Sequence, residues 1–282
     1  MEQQLEQIRD QQKHTWDTFA PGWKKWDDFV MTMNRPAGEG IIRQLNLKET
    51  DVVLDVATGT GEPGLSIAAI VKKGKVIGSD ISPVMLAVAQ ENALKKGITN
   101  FETLETDVTQ MAFPDGTFDA ISCRFGFMFF PDMLMAATEM VRVLKPGGRL
   151  ATTVWGPPAN NFWITSFMGP IMKNMQLPQP PAGSPGMFRC ANTDQMIDLF
   201  QQAGLKNISQ KEINGKLESE SFDFLWTYMN EIAAPVVMGL SKADDAMKAK
   251  IKQEIAEGIK QKYPTEATLK IDYQALLFYG EK

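Results

Sequence analysis

Short apolar runs alternate with longer segments of helical spacing between residues 51 and 155. The apolar runs are six or seven residues long, which is typical of buried strands. Strands are predicted at 51–56, 75–80, 100–106, 118–123 and 149–155, and helices at 63–72, 82–96 and 133–144. Strands that alternate with helices imply right-handed crossovers, and therefore an α/β fold with a parallel sheet.

The N-terminal segment has a different pattern of apolar residues. Five aromatic residues recur there every three or four positions, which predicts one aromatic face of a helix over 1–34. They are Trp16, Phe19, Trp23, Trp26 and Phe29. The Pro-Gly pair at 21–22 is expected to break or kink this helix.

Beyond residue 156 the chain becomes rich in Pro, Gly, Met and aromatic residues, and it is mostly helical in pattern over 221–262. A helix is predicted at 193–203 and strands at 205–217 and 267–279, and these elements are expected to belong to the sheet core. We therefore expect a sheet core with two insertions that form a lid. The predicted divisions are 1–45, an N-terminal helical segment; 46–155, the sheet core; 156–190, a lid insertion; 191–218, a core helix and strand; 219–264, a helical lid insertion; and 265–282, a closing strand.

The composition limits the chemistry. The chain of 282 residues is 44% hydrophobic and 22% charged, as in ordinary globular proteins. Its two cysteines, Cys123 and Cys190, cannot form a disulfide framework. Because His14 is the only histidine, the sequence argues against a His/Cys metal site and against a Ser-His-Asp triad.

The net charge of −5, without a basic stripe, argues against a nucleic-acid partner and favours a small-molecule substrate. No run approaches the ~18 apolar residues of a membrane helix, so no membrane span is predicted. The polar N-terminal segment carries no secretory signal. We therefore expect a cytoplasmic location.

The segment VLDVATGTGEPG at 53–64 contains the pattern G-x-G-x-x-G directly after the first predicted strand. That pattern is the fingerprint of a dinucleotide-binding turn, in which glycines let the backbone approach a ligand. Asp80 ends the second strand, 19 residues after Gly61, where a carboxylate can accept hydrogen bonds from ribose hydroxyls. NAD and another adenosine cofactor fit these residues equally well.

Two acidic positions favour the second alternative. Asp55 lies four residues before Gly59 and would repel a pyrophosphate, whereas an ammonium or sulfonium group would be attracted. Asp107 and Val108 end the third strand, where an acid and the next backbone amide can contact an adenine ring. The turn LKPGG at 144–148 leads into the fifth strand.

These motifs, in this order over about 45–155, resemble the class I S-adenosylmethionine-dependent methyltransferases, in particular the branch of the ubiquinone/menaquinone C-methyltransferases. The resemblance implies a doubly wound, mostly parallel, seven-stranded Rossmann-like sheet with a helical lid. It implies S-adenosylmethionine as the cofactor and S-adenosylhomocysteine as the product. The cofactor residues implied by the matching motifs are Asp55, Ala57, Gly59, Gly61, Asp80, Ile81, Met85, Asp107, Val108, Cys123 and Arg124.

The resemblance also implies that 1–45 folds over the cofactor, with Trp16 and Trp23 as candidates to face the cationic sulfur. Simple helix packing is the alternative for these tryptophans. Arg124 is expected to pair with the cofactor carboxylate, with an acidic substrate, or with a structural carboxylate.

The expected reaction is in-line transfer of a methyl group to a small, largely apolar or aromatic acceptor, which needs alignment more than acid–base machinery. Candidate acceptor residues, which could equally be lid core, are Phe127, Trp155, Asn160, Trp163 and Trp226. His14 and Tyr228 are weak candidates for a general base. An NAD-dependent oxidoreductase and a non-catalytic adenosyl-cofactor-binding protein are the alternatives. C-, N- and O-methylation and the oligomeric state stay open.

Overall fold

The computed structural model describes residues 2–181, 183–264 and 268–282. Its strands are β1 (Val52–Val56), β2 (Lys75–Asp80), β3 (Phe101–Glu105), β4 (Phe118–Arg124), β5 (Leu144–Trp155), β6 (Lys206–Ser219) and β7 (Leu269–Glu281). Within the described ranges these seven strands form one sheet in the order β3-β2-β1-β4-β5-β7-β6. The first five run parallel, and β7 lies antiparallel between β5 and β6. The predicted doubly wound, mostly parallel α/β sheet is confirmed.

Helices cover both faces of the sheet and its carboxyl edge. They are α1 (Glu2–Lys25), α2 (Asp27–Leu45), α3 (Gly64–Ala68), α4 (Pro83–Lys95), α5 (Met133–Val143), α6 (Phe162–Met175), α7 (Thr193–Gln202), α8 (Phe222–Ile232), α9 (Ala234–Leu240) and α10 (Asp245–Lys262). Several begin at a side-chain cap, as when Ser82 accepts a hydrogen bond from the Met85 N–H at the start of α4.

Successive residues of a strand point to opposite faces, and this alternation creates two apolar cores. Val53 of β1 lies in one core with Ile41 of α2. The next residue, Leu54, lies in the other core with Met140 of α5 and Phe200 of α7. Helices α6, α8, α9 and α10, here called the lid helices, extend the second core beyond β5.

Two predicted helix boundaries differ from those of the structure. Pro21 does not break α1, which continues to Lys25; a β-carbon on Gly22 would lie 2.3 Å from the Glu231 carbonyl oxygen, so this glycine lets α1 and α8 approach closely. Helix α3 ends at Ala68 rather than near 72. The segment 156–190, which lacks clean periodicity, contains the helix α6.

The turn at 144–148 is part of a longer strand than predicted. β5 pairs with β4 at Phe118 and Leu144, and the pairing resumes at Ala120 and Arg149, so the intervening residues form an irregularity within the strand. Residues 265–267, which hold the predicted start of the closing strand and of the last division, lie outside the described residues. No helix in the described ranges is long and apolar enough to cross a membrane.

Candidate active site at the carboxyl edge of the sheet

The turn after β1 adopts left-handed backbone conformations at Ala57, Gly59 and Gly61, with φ of 53°, 57° and 111°. The Thr58 N–H donates to the Ser79 carbonyl at 2.9 Å, which joins the turn to β2. A β-carbon placed on Gly59 would meet no atom within 4 Å, so this backbone faces open space. A ligand can therefore approach the main chain at Gly59.

Asp80 connects this turn to the end of β2. Its Oδ2 accepts the Gly59 N–H at 2.9 Å and its Oδ1 accepts the Ser82 N–H at 3.0 Å. Burial raises the pKa of Asp80, and the neighbouring Asp17 acts in the same direction, whereas the backbone hydrogen bonds lower it. Each oxygen keeps acceptor capacity beyond these bonds, which suits a pair of ribose hydroxyls.

Asp55 is fully buried beneath the turn and does not reach the open side of Gly59. It accepts hydrogen bonds from Thr58 Oγ1 and Ser122 Oγ, both at 2.6 Å, and from the Gly64 N–H at 3.0 Å. Burial raises its pKa to about 6 against these lowering contacts. The carboxylate therefore holds the turn and the start of α3 in place, rather than presenting its charge to a ligand as the sequence suggested.

Asp107 shapes the loop after β3. Its Oδ1 accepts the Thr109 N–H at 2.8 Å and the Thr109 hydroxyl at 2.7 Å, and Val108 is buried beside it. Its Oδ2 lies 3.8 Å from Arg9 Nη1 of α1. One oxygen is thus used in the turn, and the other faces the helix that covers this edge.

Helix α1 lies across the loops that follow β2 and β3. Asp17 accepts a hydrogen bond from the Ser82 hydroxyl at 2.6 Å, and Lys13 forms an ion pair with Glu105. The Trp16 ring packs edge-on against Phe129, with ring centroids 5.1 Å apart. The N-terminal helix therefore covers the region bounded by the glycine turn, Asp80 and Asp107.

Comparison with known proteins identifies this arrangement. A family model described as "Methyltransferase domain" matches residues 53–148. The demethylmenaquinone methyltransferase of Bacillus subtilis (strain 168) is 30% identical over 208 residues, which cover 68% of this chain and 82% of that protein. The chain belongs to the class I S-adenosylmethionine-dependent methyltransferases, in the ubiquinone/menaquinone C-methyltransferase branch.

Another relative matches a shorter part of this methyltransferase. The demethylmenaquinone methyltransferase of Thermus thermophilus is 42% identical over 106 residues, 38% of this chain. The match spans only about half (48%) of the length of that relative. A Haemonchus contortus phosphoethanolamine N-methyltransferase 2, solved in complex with S-adenosyl-L-methionine, has the same fold at 18% identity and a TM-score of 0.54, covering 87% of this chain and 52% of that one.

The carboxyl edge of the sheet has features that fit S-adenosylmethionine, the cofactor of the family. The Gly59 backbone faces open space beside the Asp80 carboxylate. The buried indole N–H of Trp23 has no hydrogen-bond partner in the described part of the chain. Ile81 and Met85 follow Asp80 at the start of α4, and Met85 is buried. These residues would hold the adenosine part of S-adenosylmethionine, whose sulfonium would supply an electrophilic methyl carbon.

Cys123 and Arg124 end β4 but point to opposite faces of the sheet. Cys123 is fully buried, and burial raises the pKa of its thiol to about 12, so only its backbone is suited to contact a ligand. Arg124 Nη1 lies 3.3 Å from Met31 Sδ. Burial lowers the pKa of Arg124, and the carboxylates of Glu62, Asp55 and Asp27 act electrostatically in the opposite direction.

Arg124 reaches a cavity of about 690 Å³ between α2, α3 and α4. The next residue, Phe125, has a φ of 57°, which is rare for a bulky side chain. Its N–H donates to the Thr153 carbonyl at 2.9 Å, and its ring stacks on Trp155 at 4.1 Å. Such strained backbone positions cluster at functional sites.

The structure does not bring the five predicted acceptor residues together. Trp155 and Trp163 pack at a ring distance of 5.0 Å beside Phe125. Phe127 lies instead in the core against Phe200, and Trp226 stacks on Phe167 within the lid helices. The fifth, exposed Asn160, donates to the side chain of Gln274 within β7. The aromatic pair beside Phe125 remains the candidate acceptor wall.

Neither candidate general base is well placed. His14 is exposed on α1. Tyr228 is buried between Trp26 and Phe29, with ring distances of 5.5 and 4.7 Å, and burial raises the pKa of its phenol. A phenol with a raised pKa stays protonated near neutral pH and cannot act as a base.

Several residues at this edge escaped the sequence analysis. Asp27 of α2 accepts hydrogen bonds from Thr60 Oγ1 at 2.6 Å and from Asn92 Nδ2 at 3.1 Å, which fastens the glycine turn to α4. Asp17 of α1 accepts a hydrogen bond from the Ser82 hydroxyl, which fastens α1 to the start of α4. Both acids follow tryptophans closely along the chain, but only the packing of α1 and α2 over the sheet reveals their role.

Proposed function

We propose that this methyltransferase transfers a methyl group from S-adenosylmethionine to a small aromatic acceptor. One observation carries the proposal: the Asp80 carboxylate binds the Gly59 N–H at the point where the glycine backbone faces open space. Family membership supports the same donor. An NAD-dependent oxidoreductase has no comparable support.

The residues act mainly by positioning and by excluding water. Asp80 and the glycine turn would hold the ribose, and Asp107 with Val108 would hold the adenine. The contacts of α1 with Ser82, Glu105 and Asp107 would keep solvent out. Alignment of two reactants contributes up to roughly 7–11 kcal/mol, so such a site needs no general acid.

The acceptor side favours a flat ring. Phe125, Trp155 and Trp163 form a continuous aromatic wall at the ends of β4 and β5. The relatives of Bacillus subtilis and Thermus thermophilus are named for demethylmenaquinone, which supports a quinone-type acceptor and C-methylation. We propose that the lid helices close this side, and that the protein acts in the cytoplasm.

The test is transfer of labelled methyl from S-adenosylmethionine to naphthohydroquinone, with ethanolamine as an amine comparison. We expect label in the naphthol product only, and loss of transfer in Asp80→Ala. Cofactor binding without transfer to either compound would favour a non-catalytic cofactor-binding protein. Turnover of NAD instead would contradict the proposal outright.

A further inference from the structure

Strand β6 forms an unusually long edge of the sheet. It has 14 residues, whereas β3 at the opposite edge has 5. Every second residue of an antiparallel strand directs its backbone N–H and C=O away from the neighbouring strand. Within the described ranges, residues 210–218 form no backbone hydrogen bonds except in the ladder with β7. Such an edge can pair with a further strand, and native proteins ordinarily keep exposed edges short.

The side chains of β6 alternate between a covered face and an exposed face. Ile213 lies under α2, since a β-carbon on Gly40 would be 2.9 Å from its Cδ1, and Leu217 on the same face is buried. The residues of the other face are exposed: Glu212, Asn214, Lys216 and Glu218. A strand added at this edge must therefore place its own apolar residues on the α2 side and its polar residues on the exposed side.

The charges of the exposed face are arranged symmetrically about Asn214. Glu212 lies two residues before Asn214, and Lys216, with the opposite charge, lies two residues after it. In an antiparallel pair of identical strands, residues directly opposite each other lie equally far from the centre. Two copies of β6 paired about Asn214 therefore place Glu212 of each copy opposite Lys216 of the other. Opposite charges in such cross-strand positions are stabilising.

Neighbouring registers lack this complementarity. A pair centred on Gly215 places Glu212 opposite Glu218, and like charges directly opposite each other are destabilising. A pair centred on Ile213 places Glu212 opposite Asn214, so neither charge meets its opposite. Charges of a single sign would protect this edge from pairing. The alternating charges instead favour one register with a second copy of the same strand.

We propose that two copies of this chain pair antiparallel through β6, centred on Asn214, and join their sheets across a two-fold axis. A self-complementary surface of this kind is what a symmetric dimer requires. The inference goes beyond the proposed function and does not depend on it. Adjacent strands are about 4.8 Å apart, so β6 lies roughly 19 Å from β1 and the glycine turn lies outside the interface.

The first experiment is sedimentation equilibrium of the full chain, which measures its mass and the dissociation constant of the dimer. The variants are Glu212→Lys and Lys216→Glu, each alone and as an equimolar mixture. Glu102→Lys on β3 is the control, because it reverses an exposed charge at the opposite edge of the sheet. Circular dichroism verifies that each variant is folded.

We expect wild type to have twice the mass of one chain. Each single reversal places two like-charge pairs in its own dimer, so the dissociation constant should rise about 10-fold or more. The mixture restores two opposite-charge pairs between unlike chains, and its dimer should return to within about 3-fold of wild type. A variant that had merely lost its fold would not be rescued by mixing. The control should match wild type.

The second experiment tests the register. In the proposed dimer, position 214 lies opposite itself, with Cα atoms about 4.5–5.5 Å apart, which is within the range of a disulfide. Asn214→Cys should therefore form a disulfide-linked dimer with oxidised glutathione, seen on a non-reducing gel. Glu218→Cys is the matched control on the same strand and should stay unlinked. The natural cysteines, Cys123 and Cys190, are both buried.

Three results would overturn the proposal. Wild type could be monomeric at every concentration tested, or both single reversals could leave the dissociation constant unchanged. Asn214→Cys and Glu218→Cys could also cross-link equally, which would exclude the register centred on Asn214.

Discussion

The two halves of the carboxyl edge differ in how their polar groups are satisfied. On the β1–β2 side, Asp55 and Asp80 together accept hydrogen bonds from Thr58, Gly59 and Gly64 among others, so the glycine turn is fixed by the protein itself. On the β4–β5 side, the half-buried Arg124 contacts the Met31 sulfur, and the buried Thr153 hydroxyl has no hydrogen-bond partner among the described residues.

The difference indicates two strategies within one site. A preorganised turn binds an invariant cofactor without reorganisation. A buried hydroxyl without a partner, as at Thr153, favours a ligand that supplies one. Changes on the β1–β2 side should therefore alter stability and cofactor affinity, whereas changes on the β4–β5 side should alter acceptor choice.

The largest effect is expected for Asp55→Ala. The substitution leaves the Gly64 N–H and two hydroxyls buried without their acceptor, which should lower the free energy of unfolding by about 3–4 kcal/mol. Urea unfolding measures it, with Asp198→Ala on the exposed side of α7 as the control, where little change is expected. Equal stability of the two variants would mean that the carboxylate does not hold the turn.

A pH dependence of nearly the same size should come from Asp55. Its pKa is about 6 in the folded protein and near 3.8 when unfolded. Between these values the folded state retains a proton that the unfolded state has lost, so this group makes stability fall as the pH rises from about 4 to 6. Asp55→Asn lacks this titration. The difference in unfolding free energy between wild type and this variant should fall by roughly 2–3 kcal/mol from pH 4 to 7. A constant difference would contradict the raised pKa.

Asp80→Ala should act on cofactor binding. Loss of hydrogen bonds from ribose hydroxyls to a charged acceptor should weaken S-adenosylhomocysteine binding about 10- to 100-fold, since such bonds contribute about 1.5–3 kcal/mol. Calorimetric titration measures the change, and Asp198→Ala again serves as the control. An unaltered affinity would remove Asp80 from the cofactor site.

The smallest effect is expected for Trp16→Leu. An aromatic face near the sulfonium attracts its charge, with about 1 kcal/mol expected at a partly covered position. The variant should therefore weaken S-adenosylmethionine about 5-fold more than the neutral S-adenosylhomocysteine. Trp16→Phe, which retains a ring, should show a smaller difference. Equal losses for both ligands would assign Trp16 to packing against Phe129 alone.

The sheet and the glycine turn were predictable because their signals are local. Apolar runs, turn glycines and the acid at the end of β2 are each defined within one segment of the chain. The continuity of α1 through Pro21 was not predictable, since it depends on packing against α4 and α8.

The direction in which each site residue faces also required the fold. Asp55 sits in the motif expected to contact the cofactor, yet its strand position turns it inward beneath the turn. Met31, Arg124 and Thr153 come from three distant segments, and no spacing in the sequence connects them. Only the pairing of β4 with β5 under α2 brings them together.

The most direct test of this division is a crystal structure of the S-adenosylhomocysteine complex. We expect both ribose hydroxyls within hydrogen-bond distance of the Asp80 carboxylate and the methionine part near the glycine turn. A cofactor bound away from Asp80 would contradict this division.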